Sequence, residues 1–77
     1  MDIKKAFGVV LKKERERIEI TQIDLAGRCD IDKETISLYE RGLRQPTLKT
    51  LLKLADALNV EAEYLVTEVK KRLTSLE

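Results

Sequence analysis

The side chains best suited to specific chemistry in this chain lie in one short stretch, Asp32-Lys33-Glu34-Thr35-Ile36-Ser37-Leu38-Tyr39-Glu40-Arg41. Wound into a helix, it places Ile36 and Glu40 one turn apart on one face, while Lys33, Glu34, Ser37, Leu38 and Arg41 crowd the other. Such an outer face can read the edges of base pairs. A lysine donates to guanine O6 and N7, a glutamate accepts from cytosine N4, and a leucine lies against a thymine methyl. Arg41 and Arg44, on either side of Gly42, can neutralise backbone phosphates, contacts that set affinity and register without reading sequence. The same residues also suit an ordinary solvated helix face, so the stretch alone does not choose between these readings.

The absences narrow the chemistry further. The chain has no His, no Trp and one Cys among 77 residues. A disulfide within the chain, a Cys/His zinc site and a Ser-His or Cys-His catalytic pair therefore cannot be assembled. A domain this small offers little concavity in which carboxylates and lysines could be desolvated and tuned, so enzyme catalysis, a metal, a cofactor and a small-molecule ligand are not expected. One domain spanning 1–77 is expected, because separate domains usually begin near about 100 residues. No uncharged stretch approaches the roughly 18 residues of a membrane-spanning helix, and the first residues carry no secretory pattern, so a cytoplasmic protein is expected. Fifteen basic against fourteen acidic residues give a net charge of +1, which announces no nucleic-acid partner by itself.

The elements that would hold the 33–41 face follow from punctuation and periodicity. Gly8, Gly27, Gly42 and Pro46 are the only Gly and Pro residues, and β-branched alternation is nowhere sustained, which predicts an all-α chain of five helices. From Asp2 to about Ile18, the residues Ile3, Phe7, Val10, Leu11 and Ile18 form one helical stripe. Thr21 is a suitable cap for a short helix from Gln22 to about Cys29, in which Ile23, Leu25, Ala26 and Cys29 supply apolar surface. Asp30 tolerates the left-handed conformation a tight turn needs, and Asp32 can cap the helix Lys33 to Arg41, which Gly42 ends. Pro46 and Thr47 open a fourth helix whose Leu48, Leu51, Leu52, Leu54, Ala55 and Leu58 make the broadest apolar face in the chain. Asn59 closes it and Glu61 starts the fifth. There Ala62, Val66, Val69, Leu73 and Leu76 follow spacings of 4, 3, 4 and 3, a narrow seam that Leu65 broadens.

Two short helices joined by a tight turn, the second with a polar outer face, make a helix-turn-helix unit. From Gln22 the likeness becomes specific. Gln22-Ile23-Asp24-Leu25-Ala26-Gly27-Arg28-Cys29-Asp30-Ile31-Asp32-Lys33-Glu34-Thr35-Ile36-Ser37-Leu38-Tyr39-Glu40-Arg41 resembles the motif of the Cro/C1 repressor family, also called the XRE family. Ala26 stands where a small residue lets the two helices cross, and Leu25, Cys29, Ile31, Ile36 and Tyr39 stand at the motif's apolar places. The likeness extends through Gly42, Pro46 and the leucine-rich helix, from roughly Leu11 to Leu65. Three positions depart from the pattern: Asp30 and Glu19 stand where the family usually has Gly, and Glu14 stands at an often apolar site. Within the family, the small controller proteins of restriction-modification systems resemble the chain best.

The resemblance implies a lambda-repressor-like fold, motif 21–41, and a sequence-specific DNA-binding regulator of transcription, with Lys33, Glu34, Ser37 and Leu38 at base edges. It places Gln22 and Thr35 with Arg41 and Arg44 at the DNA backbone, and makes Arg15 and Glu40 a partly buried ion pair between helix 1 and the recognition helix. One recognition helix reads about half a turn of DNA, so a homodimer spanning about 34 Å is expected on a two-fold symmetric operator. Segment 61–77 is the candidate interface, through Ala62, Tyr64, Leu65, Val66, Val69, Leu73 and Leu76. Rival expectations are that Leu65 and Val66 merely finish the monomer core with a frayed tail from Thr67 onward, or that the chain is an antitoxin or other protein-interaction module, or a phage Cro-like repressor, of the same fold.

Overall fold

Short polar residues start four helices by the same device. In the computed structural model, which describes residues 1–74, the order is α1 (Ile3–Arg17), α2 (Gln22–Cys29), α3 (Lys33–Glu40), α4 (Leu48–Ala57) and α5 (Ala62–Thr74), with no strand among the described residues. The side chains of Asp2, Thr21, Asp32 and Thr47 each accept a hydrogen bond from the backbone N–H three residues on. That satisfies a donor which the first helical turn would otherwise leave unpaired. At α2 the cap is reciprocal, because the Asp24 carboxylate accepts from the Thr21 N–H at 3.1 Å.

The ends of α1 to α4 also share one solution. Glu19, Asp30, Gly42 and Asn59 adopt positive φ of 58°, 55°, 74° and 60°. The following residue in each case donates its N–H back to the helix: Ile20 to Arg15, Ile31 to Ala26, Leu43 to Leu38, and Val60 to Ala55, at 3.0 to 3.3 Å. This is the left-handed cap closed by a long backbone bond and followed by an apolar residue. Only one of the four positions is glycine. Glu19 therefore performs a glycine's task, and α1 stops at Arg17.

Helix α1 packs on α3 and α5, α2 packs on α3 and α4, and α4 packs on α5. The core between them is built from Phe7, Leu11, Leu25, Ile36, Leu54 and Leu58 with their neighbours. At Gly8 the backbones of α1 and α3 nearly touch: a Cβ there would stand 2.5 Å from the Tyr39 carbonyl oxygen and 2.8 Å from that of Glu40. Phe7 meets the Tyr39 ring edge-on at 6.1 Å, an arrangement the ring quadrupoles favour. Cys29 is buried, its thiol lies 3.7 Å from the Lys53 carbonyl oxygen, and burial pushes its pKa up, away from thiolate reactivity.

Four expectations about apolar surface need correction. Ile3, Ile23, Leu48 and Leu52 are all more than half exposed, at 52%, 66%, 72% and 53%. In α4, Leu54, Ala55 and Leu58 take the core side, and a helix 10 Å across cannot bury the opposite leucines as well. Glu14, at the often apolar site, is buried at 3% exposure. Its carboxylate accepts from Arg17 Nε at 2.8 Å and from the Tyr64 hydroxyl at 3.0 Å, joining α1 to α5. No helix of the described residues is long and apolar enough to cross a membrane.

Candidate nucleic-acid interface

The site is built on a polar lock behind the recognition helix. Glu40, in the last turn of α3, has a side chain 4% exposed and accepts two bonds from Arg15 of α1, from Nε at 2.6 Å and from Nη2 at 3.0 Å. Gln22 of α2 donates Nε2 to the same carboxylate at 3.0 Å. Arg15 spends a further N–H on the Ile20 carbonyl at 2.8 Å, just past the left-handed cap of α1. One carboxylate thus binds three helices, and hydrogen bonding to Glu40 raises the Arg15 pKa above its ordinary value.

Asp32 aims α3. Its Oδ1 accepts from the Thr35 N–H at 2.8 Å and from the Thr35 hydroxyl at 2.7 Å. The Thr35 hydroxyl, followed by its backbone N–H, holds the Asp32 carboxyl below the usual carboxylate range. At the start of α2 the backbone and then the hydroxyl of Thr21 do the same for Asp24. Both carboxylates sit where the helix dipole favours negative charge.

With α3 so held, Lys33 and Glu34 are exposed to solvent, Ser37 and Leu38 are half-buried beside them, and Ile36 faces the core with no exposure. Arg41, which caps α3 rather than continuing it, folds back on the helix. Its Nε donates to Ser37 Oγ at 3.2 Å and to the Ser37 carbonyl at 3.4 Å. Arg44 is exposed in the following loop. The structure thus brings Lys33, Glu34, Ser37, Leu38 and Arg41 onto one outward face, and reaches Gln22 through Glu40. Thr35 instead spends its hydroxyl inside the cap.

The Helix-turn-helix family model matches residues 11–65 of the chain. The chain belongs to this helix-turn-helix family of the Cro/C1, or XRE, type. The transcriptional regulator ImmR of Bacillus subtilis is 38% identical over 69 residues, covering 87% of this chain but only 54% of ImmR, so the chain spans about half of that relative's length. The control protein C.MunI of a Mycoplasma species is 34% identical over 71 residues, covering 91% of the chain and 96% of C.MunI. Among solved structures, the restriction-modification controller protein C.AhdI of Aeromonas hydrophila superposes with a TM-score of 0.78 at 34% identity, covering 80% of this chain and 94% of that one. These likenesses place the chain in a family of helix-turn-helix transcription regulators that includes restriction-modification controllers.

Against that family pattern, the seven residues expected at an interface separate into distinct settings. Leu65 has no exposure and belongs to the core of its own chain. Tyr64 is 41% exposed, but its hydroxyl is bonded to Glu14 of the same chain. Val69 and Leu73 line an apolar groove with Ile3, Pro46 and Leu51. Val66, at 44% exposure, lines the same groove from α5, and Ala62 is half-buried. Leu76 lies outside the described residues. The Glu14–Tyr64–Arg17 cluster was not foreseen. Its one visible signal was a carboxylate at a site where the family pattern is often apolar.

Proposed function

We propose that this chain is a sequence-specific DNA-binding regulator of transcription that works as a homodimer on a two-fold symmetric operator, as a restriction-modification controller would. The observation that carries the reading is the lock on Glu40. Arg15 and Gln22 fix the recognition helix from behind, while Lys33 and Glu34 stand exposed on its outer side. A helix rigidly mounted on the body of the protein, with polar side chains projecting from its first turn, is what reading base edges in the major groove requires.

In this reading Lys33, Glu34, Ser37 and Leu38 meet base edges, Lys33 as a donor to guanine and Glu34 as an acceptor from cytosine N4. Arg44 and Arg41 neutralise phosphates, and Gln22 and Thr35 lie where the backbone passes the start of each motif helix. Two protomers set the recognition helices one turn apart, since a single helix gives too little discrimination. The relatives' roles support the regulatory assignment: C.MunI is a control protein and C.AhdI a restriction-modification controller.

Selection of bound duplexes from a random pool at defined salt tests the proposal. The expected product is a palindromic consensus. Lys33→Ala should cost about 1 to 3 kcal/mol at one or two base pairs of each half-site, whereas Arg44→Ala should weaken all sequences alike and lower the salt slope by about one. No enrichment over random duplex, or equal losses for both variants on specific and random DNA, would refute the assignment.

A further inference from the structure

Helix α5 carries unlike charges at matched positions around an exposed valine. At 100° per residue, Glu63 and Lys70, seven apart, lie within about 20° of each other on the helix surface, and Val66 lies between them along the axis. This face is turned away from Leu65, which is wholly buried, while Glu63 and Lys70 are exposed and Val66 is 44% exposed. Neither Glu63 nor Lys70 makes an ion pair among the described residues, although Lys71 and Glu68 on the same helix pair at 3.1 Å. The adjoining groove, about 250 Å³, extends the apolar surface with Val66, Val69 and Leu73 on one wall and Ile3, Pro46 and Leu51 on another.

We infer that the partner of this face is α5 of a second copy, packed antiparallel about a two-fold axis at Val66, with Glu63 of each protomer paired to Lys70 of the other. The inference rests on the homodimer proposed above and specifies its geometry. Two-fold symmetry allows two helix arrangements. With the axis along the helices, like residues meet, and Glu63 would face Glu63 while Lys70 faced Lys70. With the axis across them, Glu63 lies about 4.5 Å from the axis and the other copy's Lys70 about 6 Å from it in the same direction, at 1.5 Å rise per residue. A lysine side chain spans the remaining gap between helices 8–10 Å apart. Only the antiparallel arrangement turns this charge pattern from repulsion into attraction, twice per dimer. Ala62 and Val69 then flank Val66 with small apolar side chains, which permits close approach.

Charge reversal tests the register on the full chain, with dimerisation followed by sedimentation equilibrium. Glu63→Lys alone and Lys70→Glu alone should each weaken the dimer about tenfold or more, since each replaces two attractive pairs with two repulsive ones. An equimolar mixture of the two variants should recover dimers, because Lys at 63 of one chain then faces Glu at 70 of the other, and the double variant should recover them by itself. Dimers of unchanged strength in both single variants, or a mixture as weak as its components, would overturn the register. Val66→Glu separates the two levels. Loss of the dimer in that variant with no effect of charge reversal would discard the pairing but keep α5 as the interface, whereas an intact dimer would discard both.

Discussion

The bond network on Glu40 yields the most demanding prediction. The Glu40 side chain is 4% exposed and that of Arg15 12%, so each charge depends on the other for the solvation it has given up. Replacing Glu40 by Leu strands the Arg15 guanidinium and leaves the Gln22 amide without its acceptor. Replacing Arg15 by Met strands the carboxylate and frees the Ile20 carbonyl. Breaking a buried pair from either side costs about 3 to 5 kcal/mol, whereas replacing both members with apolar residues is often near neutral. Here the double variant still loses the bonds at Gln22 and Ile20, about 1 kcal/mol each, or about 2 kcal/mol together. Single losses of about 3 kcal/mol each, against about 2 to 3 for the double, give a coupling energy of about 3 to 4 kcal/mol. Urea unfolding of the wild type, both single variants and the double variant closes the cycle. Losses that add to within about 0.5 kcal/mol would show that the pair is not the coupled, desolvated unit described here.

Three further perturbations follow from local geometry. Glu19→Gly should stabilise the fold by about 0.5 kcal/mol, because relieving a left-handed L-residue worth about 1 to 2 kcal/mol outweighs the greater flexibility of glycine when unfolded; a rise of a few degrees in Tm checks it. Gly8→Ala should destabilise by about 2 kcal/mol despite alanine's better helix propensity, since the new methyl would meet the Tyr39 and Glu40 carbonyl oxygens at 2.5 and 2.8 Å; a gain in urea midpoint would contradict that approach. The carboxyls of Asp24 and Asp32 titrate below the ordinary value of 3.8 in the folded chain. Their contribution is therefore fully present above that value and is lost as pH falls through the lower folded value. Asp32→Asn keeps a cap acceptor but no titrating charge, and should flatten the decline of stability on acidification in a urea series between neutral and acidic pH.

Local signals proved legible wherever a residue acts through its own backbone neighbourhood. Thr21, Asp32 and Gly42 mark helix ends because each satisfies, or conformationally permits, a bond a few residues away. Residues whose partners lie far along the chain were harder to read. Glu14 is buried beside Tyr64, 50 positions later, and no periodicity in α1 could show that a hydroxyl on α5 would make its carboxylate tolerable. The leucines of α4 are ambiguous for another reason: Leu48, Leu51, Leu52, Leu54, Ala55 and Leu58 cover so much of the circumference that two overlapping stripes compete. Only the positions of α2 and α5 decide that Leu54 and Leu58 go inside while Leu48 and Leu52 stay out. The outward face of α3 was legible from its spacing. The fold-back of Arg41 onto Ser37 was not, because it depends on a rotamer at a helix end that sequence leaves open.

The same distinction explains why net charge is a poor guide to partners here. Residues 21–46 contain four basic and five acidic side chains, a balance that suggests no attraction to DNA. Three of those acids are occupied in the structure. Asp24 and Asp32 hold the first turns of α2 and α3, and Glu40 is enclosed with Arg15, so its field is largely cancelled at close range. The exposed charges of this stretch are Arg28, Lys33, Arg41 and Arg44 against Asp24, Asp30, Asp32 and Glu34. Sequence-independent attraction to phosphate scales with the number of cations brought to it. In the proposed reading, a chain with so few of them gains little from DNA as such and would depend on correct base edges and a second copy. Near-neutral charge in this chain is therefore compatible with recognition, and it favours discrimination over general affinity.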